Sequence, residues 1–266
     1  MKERWAQRPG WPAGAVLTAG LAVLLAVLVW PKPAEPDFRV AVASSFLDAA
    51  EALIADFEAQ TGYSAGLSAG GSGQIYAQIV HGAPFDVFLS ADEARPRRLA
   101  DEGRASGVPQ TYALGRLALW SPDPRRVTGD MGALLAGTGW HRIAIANPEL
   151  APYGMAAVQT LETLGVTLPA GRVAMGSNAG QVFAMTASGA ADMGMVALAL
   201  VVSPRNPSPG SRWEVPETYH APIRQDAVLL RRAEANPAAR AFMDYLASDR
   251  ARAIVTSSGY GWPGDA

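Results

Sequence analysis

The 266-residue sequence predicts an α/β protein of two lobes with a ligand cleft between them. Two observations carry this. From Phe38 onward, short apolar runs alternate with longer amphipathic ones, the pattern of strand–helix–strand units in a parallel or mixed sheet. The rhythm breaks at Ser121-Pro-Asp-Pro124 and then resumes, as two consecutive lobes would require; ligands preferentially occupy the cleft such lobes create.

Taken in order, Phe38–Ala43 reads as a strand and 46–60 as a helix, with Phe46, Ala50, Leu53, Ile54 and Phe57 on one face and Gly62 as its stop. A second helix over 73–81, a strand over 85–90 and a helix over 92–101 follow, then a strand over 116–120. The second lobe reads as a strand over 143–147, a helix over 155–164, a strand around Val173, a helix over 181–188 and an apolar segment over 192–196. Three prolines mark 203–210 as a loop or sheet edge. Residues 227–230 form a buried-strand candidate, and the helix 237–248 and the segment 250–257 complete the chain. The expected division is 1–36 as a terminal segment, 37–115 with 223–266 as lobe I, and 116–222 as lobe II.

The terminal segment places Lys2, Arg4 and Arg8 before the apolar run 15–30, the layout of an export signal. Two fates fit it: removal as a signal peptide, leaving a periplasmic protein, or retention as an inner-membrane tether. Residues 13–30 as a helix would span roughly 27 Å, near the lower limit for a bilayer, with Trp11 and Trp30 placed as interfacial anchors. No small-x-small cleavage pattern precedes the proline-rich exit at 31–36. The absence of cysteine excludes disulfides, thiol catalysis and thiolate metal sites. Residues 37–266 carry 18 basic and 22 acidic side chains, so nucleic-acid binding is not expected, and an anion would have to be held by local dipoles rather than by the overall field.

Such local dipoles are what the loops supply. Ser44-Ser45, Gly70-Gly71-Ser72-Gly73 and Ser177-Asn178-Ala179-Gly180 each follow a strand-like run and precede a helix. Helix starts leave backbone N–H groups without intrahelical acceptors and carry about half a positive charge, so converging starts can hold an oxyanion without Lys or Arg. Singly, each loop is an ordinary cap: Ser45 with Asp48 fits a capping box, and Asn178 with Gln181 fits another. Their recurrence at strand C-terminal ends, the ligand-binding rim of open α/β sheets, points to a site. Asn147-Pro-Glu-Leu-Ala-Pro-Tyr153-Gly154 gives a fourth such start, with the Tyr153 N–H as donor. The loops read as donor-only, free of carboxylates, which suits a fully deprotonated tetrahedral anion.

Other functions fit less well. No Gly-x-Ser-x-Gly elbow accompanies the serines; His81 reads as a helix terminus, and His141 and His220 as surface loop residues. No His/Asp/Glu cluster has metal-ligand spacing. Asp86 on its strand reads as structural, bonded to a helix start or to solvent, and Arg95-Pro-Arg-Arg98 as a solvated helix face. A binding module for an amino acid would be expected to place Arg or Asp in the ligand loops to clamp charged groups.

The chain resembles the periplasmic molybdate-binding proteins of ABC transporters from about Phe38 to Trp262. The resemblance lies in Ala43-Ser-Ser45, Gly71-Ser72-Gly73, the run from His81 to Asp92, Asn147-Pro148, Asn178-Ala179, Ala191-Asp-Met-Gly-Met-Val-Ala197 and Ile223-Arg-Gln-Asp-Ala-Val-Leu-Leu230. It implies a type II periplasmic-binding-protein fold, crossed twice near residues 115 and 222 and closing on molybdate or tungstate, with sulfate as an alternative. It further implies a monomer that delivers its anion to an inner-membrane ABC permease, needs no cofactor and is not an enzyme. The family's ligand serines fall on Ser45 and Ser72 and its backbone donors on Tyr153 and Ala179. A family tyrosine falls on Ala197, which removes one hydroxyl; Ser44 is the candidate for a substitute contact.

Overall fold

The structure, a computed structural model, describes residues 35–264. The expected signal or anchor and nearly all of its proline-rich exit lie outside the described residues. Among the described residues no helix is long and apolar enough to cross a membrane.

Among the described residues ten strands form two five-stranded sheets. Strands β1 (Phe38–Ala43), β2 (Ala65–Gly70), β3 (Val87–Leu89), β4 (Ala105–Gly115) and β10 (Ile223–Leu230) lie in the order β2-β1-β3-β10-β4. Strands β5 (Leu117–Ser121), β6 (Ile143–Ala146), β7 (Val173–Gly176), β8 (Met193–Ala197) and β9 (Ser211–Glu214) lie in the order β7-β6-β8-β5-β9. The two sheets share one plan: three parallel strands, one antiparallel strand, then an edge strand. In each sheet the antiparallel strand is the one entered just after the chain changes sheets, β5 past Arg116 and β10 past the connection 215–222.

Helices cover the sheet faces: α1 (Leu47–Thr61), α2 (Ser72–Val80) and α3 (Ala94–Asp101), then α4 (Met131–Ala136), α5 (Pro152–Thr163), α6 (Ala179–Ala187) and α7 (Leu198–Val202), and finally α8 (Pro237–Leu246) and α9 (Asp249–Ser257). The α1 face read from the sequence is the buried one: Ala50, Leu53, Ile54 and Phe57 pack inward, each large side chain contributing about 1.5–3 kcal/mol of burial. Gly62 ends the helix at φ 76°, its N–H returning to Glu58 O, a conformation that favours glycine. Phe57 meets Phe38 of β1 edge-on at 5.8 Å and Phe242 of α8 at 5.3 Å, which ties the C-terminal helices to the first strand. In the second lobe Trp120 of β5 stacks on Phe183 of α6 at 5.0 Å.

The structure departs from the sequence reading in several places. Strand β4, eleven residues long, contains Gly107 at φ 80° and Pro109; it is an edge strand whose pairing with β10 shifts register twice, and an edge tolerates both residue types. Strand β9, outermost in the second sheet, was likewise hidden beside the proline loop. Ser45 and Asp48 make no capping box: Ser44–Phe46 is a single 3₁₀ turn without a side-chain cap, and the Asp48 carboxylate is taken by Ser203 and Arg205 of the other lobe. His220 is 9% exposed rather than on the surface, its Nδ1 against Ala221 O. Asp86 is structural, but its partners are the Arg39 N–H and the Arg232 guanidinium rather than a helix start.

Candidate functional site

Strand pairing brings the site together. In the first sheet Ala43 of β1 lies beside Gly70 of β2, and in the second Ala146 of β6 lies beside Gly176 of β7. Each of these four strand ends feeds a helix or 3₁₀ turn within a few residues, so two neighbouring starts from each lobe face one another. Residues from all four line one small cavity, among them Ser44, Ser45, Ser72, Tyr153 and Ala179. The cavity is small, about 20 Å³, which suits one small ion rather than an extended solute.

The local sequence explains the wall. Pro152 occupies the first helical position of α5, where its missing N–H is not needed, and the Tyr153 N–H that follows has no acceptor within its helix. Gly154 allows this turn to sit against β6, because a Cβ there would come within 2.3 Å of Ala146 O. At α6 the cap is as read from the sequence: Asn178 Oδ1 accepts the Gln181 N–H at 2.9 Å and Gln181 Oε1 accepts the Ser177 N–H at 2.6 Å, which leaves Ala179 and Gly180 N–H without intrahelical acceptors. Ser72 Oγ accepts the Ala91 N–H at 3.0 Å, so its hydroxyl hydrogen is available for donation.

The other expected residues sit differently. Ser44 lines the cavity, but its hydroxyl donates across the cleft to Asn178 Oδ1 at 3.1 Å. Ala197, at the end of β8, is fully buried in the core cluster that also holds Ala43, Tyr153 and Ala179, and is not among the cavity-lining residues. Gly70, Leu150 and Ala151, which belong to the quoted loops without an assigned role, also line the cavity, as does Ala91, which was not singled out from the sequence; their only signal was position at a strand end or helix start. Glu149, a carboxylate in the fourth loop that the donor-only reading overlooked, is exposed and lines an outer groove rather than the cavity.

Behind the cavity lies a buried tyrosine network. Gln225 Nε2 of β10 donates to the Tyr153 hydroxyl at 3.1 Å, and the Tyr112 hydroxyl reaches Ser90 O at 3.0 Å and Gln225 Oε1 at 3.2 Å. Tyr260 donates to Ser45 O. Burial pushes all three phenols above their ordinary range, so they stay neutral. Gly115, where the chain leaves the first sheet, makes room for this network: a Cβ would lie 2.6 Å from the Tyr153 hydroxyl.

No charged side chain lines the cavity. Backbone N–H groups and hydroxyls, held between two lobes joined by paired crossovers, are the arrangement of a solute-binding protein, and comparison with known proteins agrees. The family of bacterial extracellular solute-binding proteins matches residues 38–261. The molybdate-binding protein ModA of Azotobacter vinelandii is 41% identical over 227 residues, 85% of this chain and 90% of its own. ModA of Rhodobacter capsulatus is 41% identical over 248 residues, 92% of this chain and 96% of its own. The solved structure of the Azotobacter vinelandii periplasmic molybdate-binding protein superposes with a TM-score of 0.79 at 43% identity, covering 85% of this chain and 99% of that one. The chain belongs to the bacterial extracellular solute-binding protein family.

Proposed function

We propose that the protein captures molybdate in the periplasm, with tungstate as a second ligand, and delivers it as a monomer to an ABC permease in the inner membrane. The cavity carries this reading: it is small, lies between helix starts of both lobes, and is walled by hydrogen-bond donors without a charged side chain. A dianion with only acceptor oxygens satisfies such a wall, whereas an anion that keeps a proton brings a donor with no acceptor to meet it, at a cost of about 1–3 kcal/mol. The 41% identity to two proteins named for molybdate binding supports the same ligand. Ser45 and Ser72 are the proposed hydroxyl donors and Tyr153 and Ala179 the proposed backbone donors. Calorimetric titration of the purified protein with molybdate and with tungstate tests this: one-to-one binding well below micromolar is expected, and absence of binding to either anion rejects it.

A further inference from the structure

We propose that the anion reaches its cavity by one of the two grooves between the lobes, and that Arg95 is the gate residue of that groove; the proposal rests on the molybdate reading above. The grooves differ in how they meet the cavity. One shares Gly71, Leu150 and Asn178 with it, the other only Ser45. They also differ in charge. The charged side chains lining the first are Arg95, Arg98 and Glu149, with Arg95 paired to Asp92 and Arg98 to Glu102, and those lining the second are Asp48, Glu51 and Arg205. In the first groove a guanidinium, that of Arg95, bonds Leu150 O at the cavity's edge, where an approaching anion meets its charge, whereas in the second the carboxylates outnumber the one arginine.

Arg95 spans this mouth. Its backbone N–H and guanidinium are both held by the Asp92 carboxylate, and its Nη2 donates to Leu150 O of the opposite lobe at 3.0 Å. The guanidinium lies over the first turn of α2, where a Cβ on Gly73 would come within 3.2 Å of it. The same Nη2 that bonds Leu150 O thus lies against the turn of α2 that begins at Ser72, and Ser72 and Leu150 both line the cavity. The acidic groove is closed by a separate clasp, Arg205 paired with Asp48 and Glu51. Arg95 therefore acts twice, attracting the anion before closure and holding the lobes together after it, while Arg205 acts only in the second way.

Stopped-flow mixing of the purified protein with molybdate at several salt concentrations separates these roles. Arg95→Gln is expected to lower kon roughly 3- to 10-fold at low salt, to flatten its salt dependence and to raise koff. Arg95→Lys, which keeps the charge but loses the planar fork, should restore kon while koff stays raised. Arg205→Gln should raise koff and leave kon unchanged. The gate is overturned if Arg95→Gln keeps the wild-type kon and salt dependence, or if Arg205→Gln lowers kon as much as Arg95→Gln does. If wild-type protein binds molybdate while Arg95→Gln is kinetically silent, the gate alone falls; if wild-type protein does not bind molybdate, the function reading falls and takes the gate with it.

Discussion

Asn178 Oδ1 accepts two hydrogen bonds that belong to different levels of structure: the Gln181 N–H at 2.9 Å, which caps α6, and the Ser44 hydroxyl at 3.1 Å, which joins the two lobes. One atom thus orients the helix start proposed to hold the anion and ties it to the opposite lobe. The two substitutions are expected to separate these effects. Asn178→Ala should cost about 1 kcal/mol of stability through the lost cap and also weaken anion binding. Ser44→Ala should weaken binding with a melting temperature close to wild type. Paired thermal melts and titrations check this, and equal loss of stability in both variants would contradict it.

Ser45→Ala and Ser72→Ala are each expected to remove a hydroxyl donor to a buried dianion, roughly 1.5–3 kcal/mol for a charge-assisted bond, or about ten- to a hundred-fold in affinity. Neither serine makes a side-chain cap to its helix, so Ser45→Ala should change stability less than affinity, whereas Ser72→Ala also leaves the buried Ala91 N–H without its acceptor and should cost about 1–3 kcal/mol of stability. Unchanged molybdate affinity in both variants, with the fold intact, would remove the hydroxyls from the proposed ligand set.

The sequence made β1, β3 and β6 legible because their apolar runs are continuous and each leads through a polar loop to a helix. It hid the parallel edge strand β2, whose small and polar residues Ala65–Gly70 are only partly buried, and β4, where Gly107 and Pro109 look like a turn until the edge position is known. The helix starts of the site were readable for the same local reason. The contacts that assemble them were not: Ser44 and Asn178 lie 134 residues apart, Arg95 and Leu150 lie 55 apart, and Asp48 and Arg205 lie 157 apart. Arg95 read as one of several solvated arginines because nothing in its own helix marks the carbonyl it meets.

Gly115 and Tyr153 should be coupled. Gly115→Ala places a methyl 2.6 Å from the Tyr153 hydroxyl and near Gln225, an overpacking expected to cost about 1–3 kcal/mol. Tyr153→Phe removes the obstructing oxygen, so the double variant should be less destabilised than the sum of the single changes. A double-mutant cycle by urea unfolding measures this; strict additivity would mean that the two residues do not compete for the same space.

Asp56 supplies a pH signature. Hydrogen bonds from Arg250 and Tyr245 hold its carboxyl at about 2, below the ordinary 3.8. Because the folded-state value is depressed, the stabilisation is present above pH 3.8 and is lost as pH falls through about 2. Stability curves of wild type and Asp56→Asn should therefore differ near neutrality and converge on acidification to pH 2. A difference that stays constant through that window would show that the Asp56 charge is not its source.

Discrimination between molybdate and phosphate by calorimetry, repeated from pH 6 to 9, tests the central claim most directly: an uncharged wall of donors selects a fully deprotonated tetrahedral anion. The cavity lining contains no carboxylate, lysine, arginine or histidine, and its one phenol, Tyr153, is pushed upward by burial. Molybdate affinity should therefore be well below micromolar and flat across this range, with phosphate weaker by roughly a hundred-fold or more near neutrality, where it still carries a proton. Phosphate binding as tightly as molybdate would contradict it.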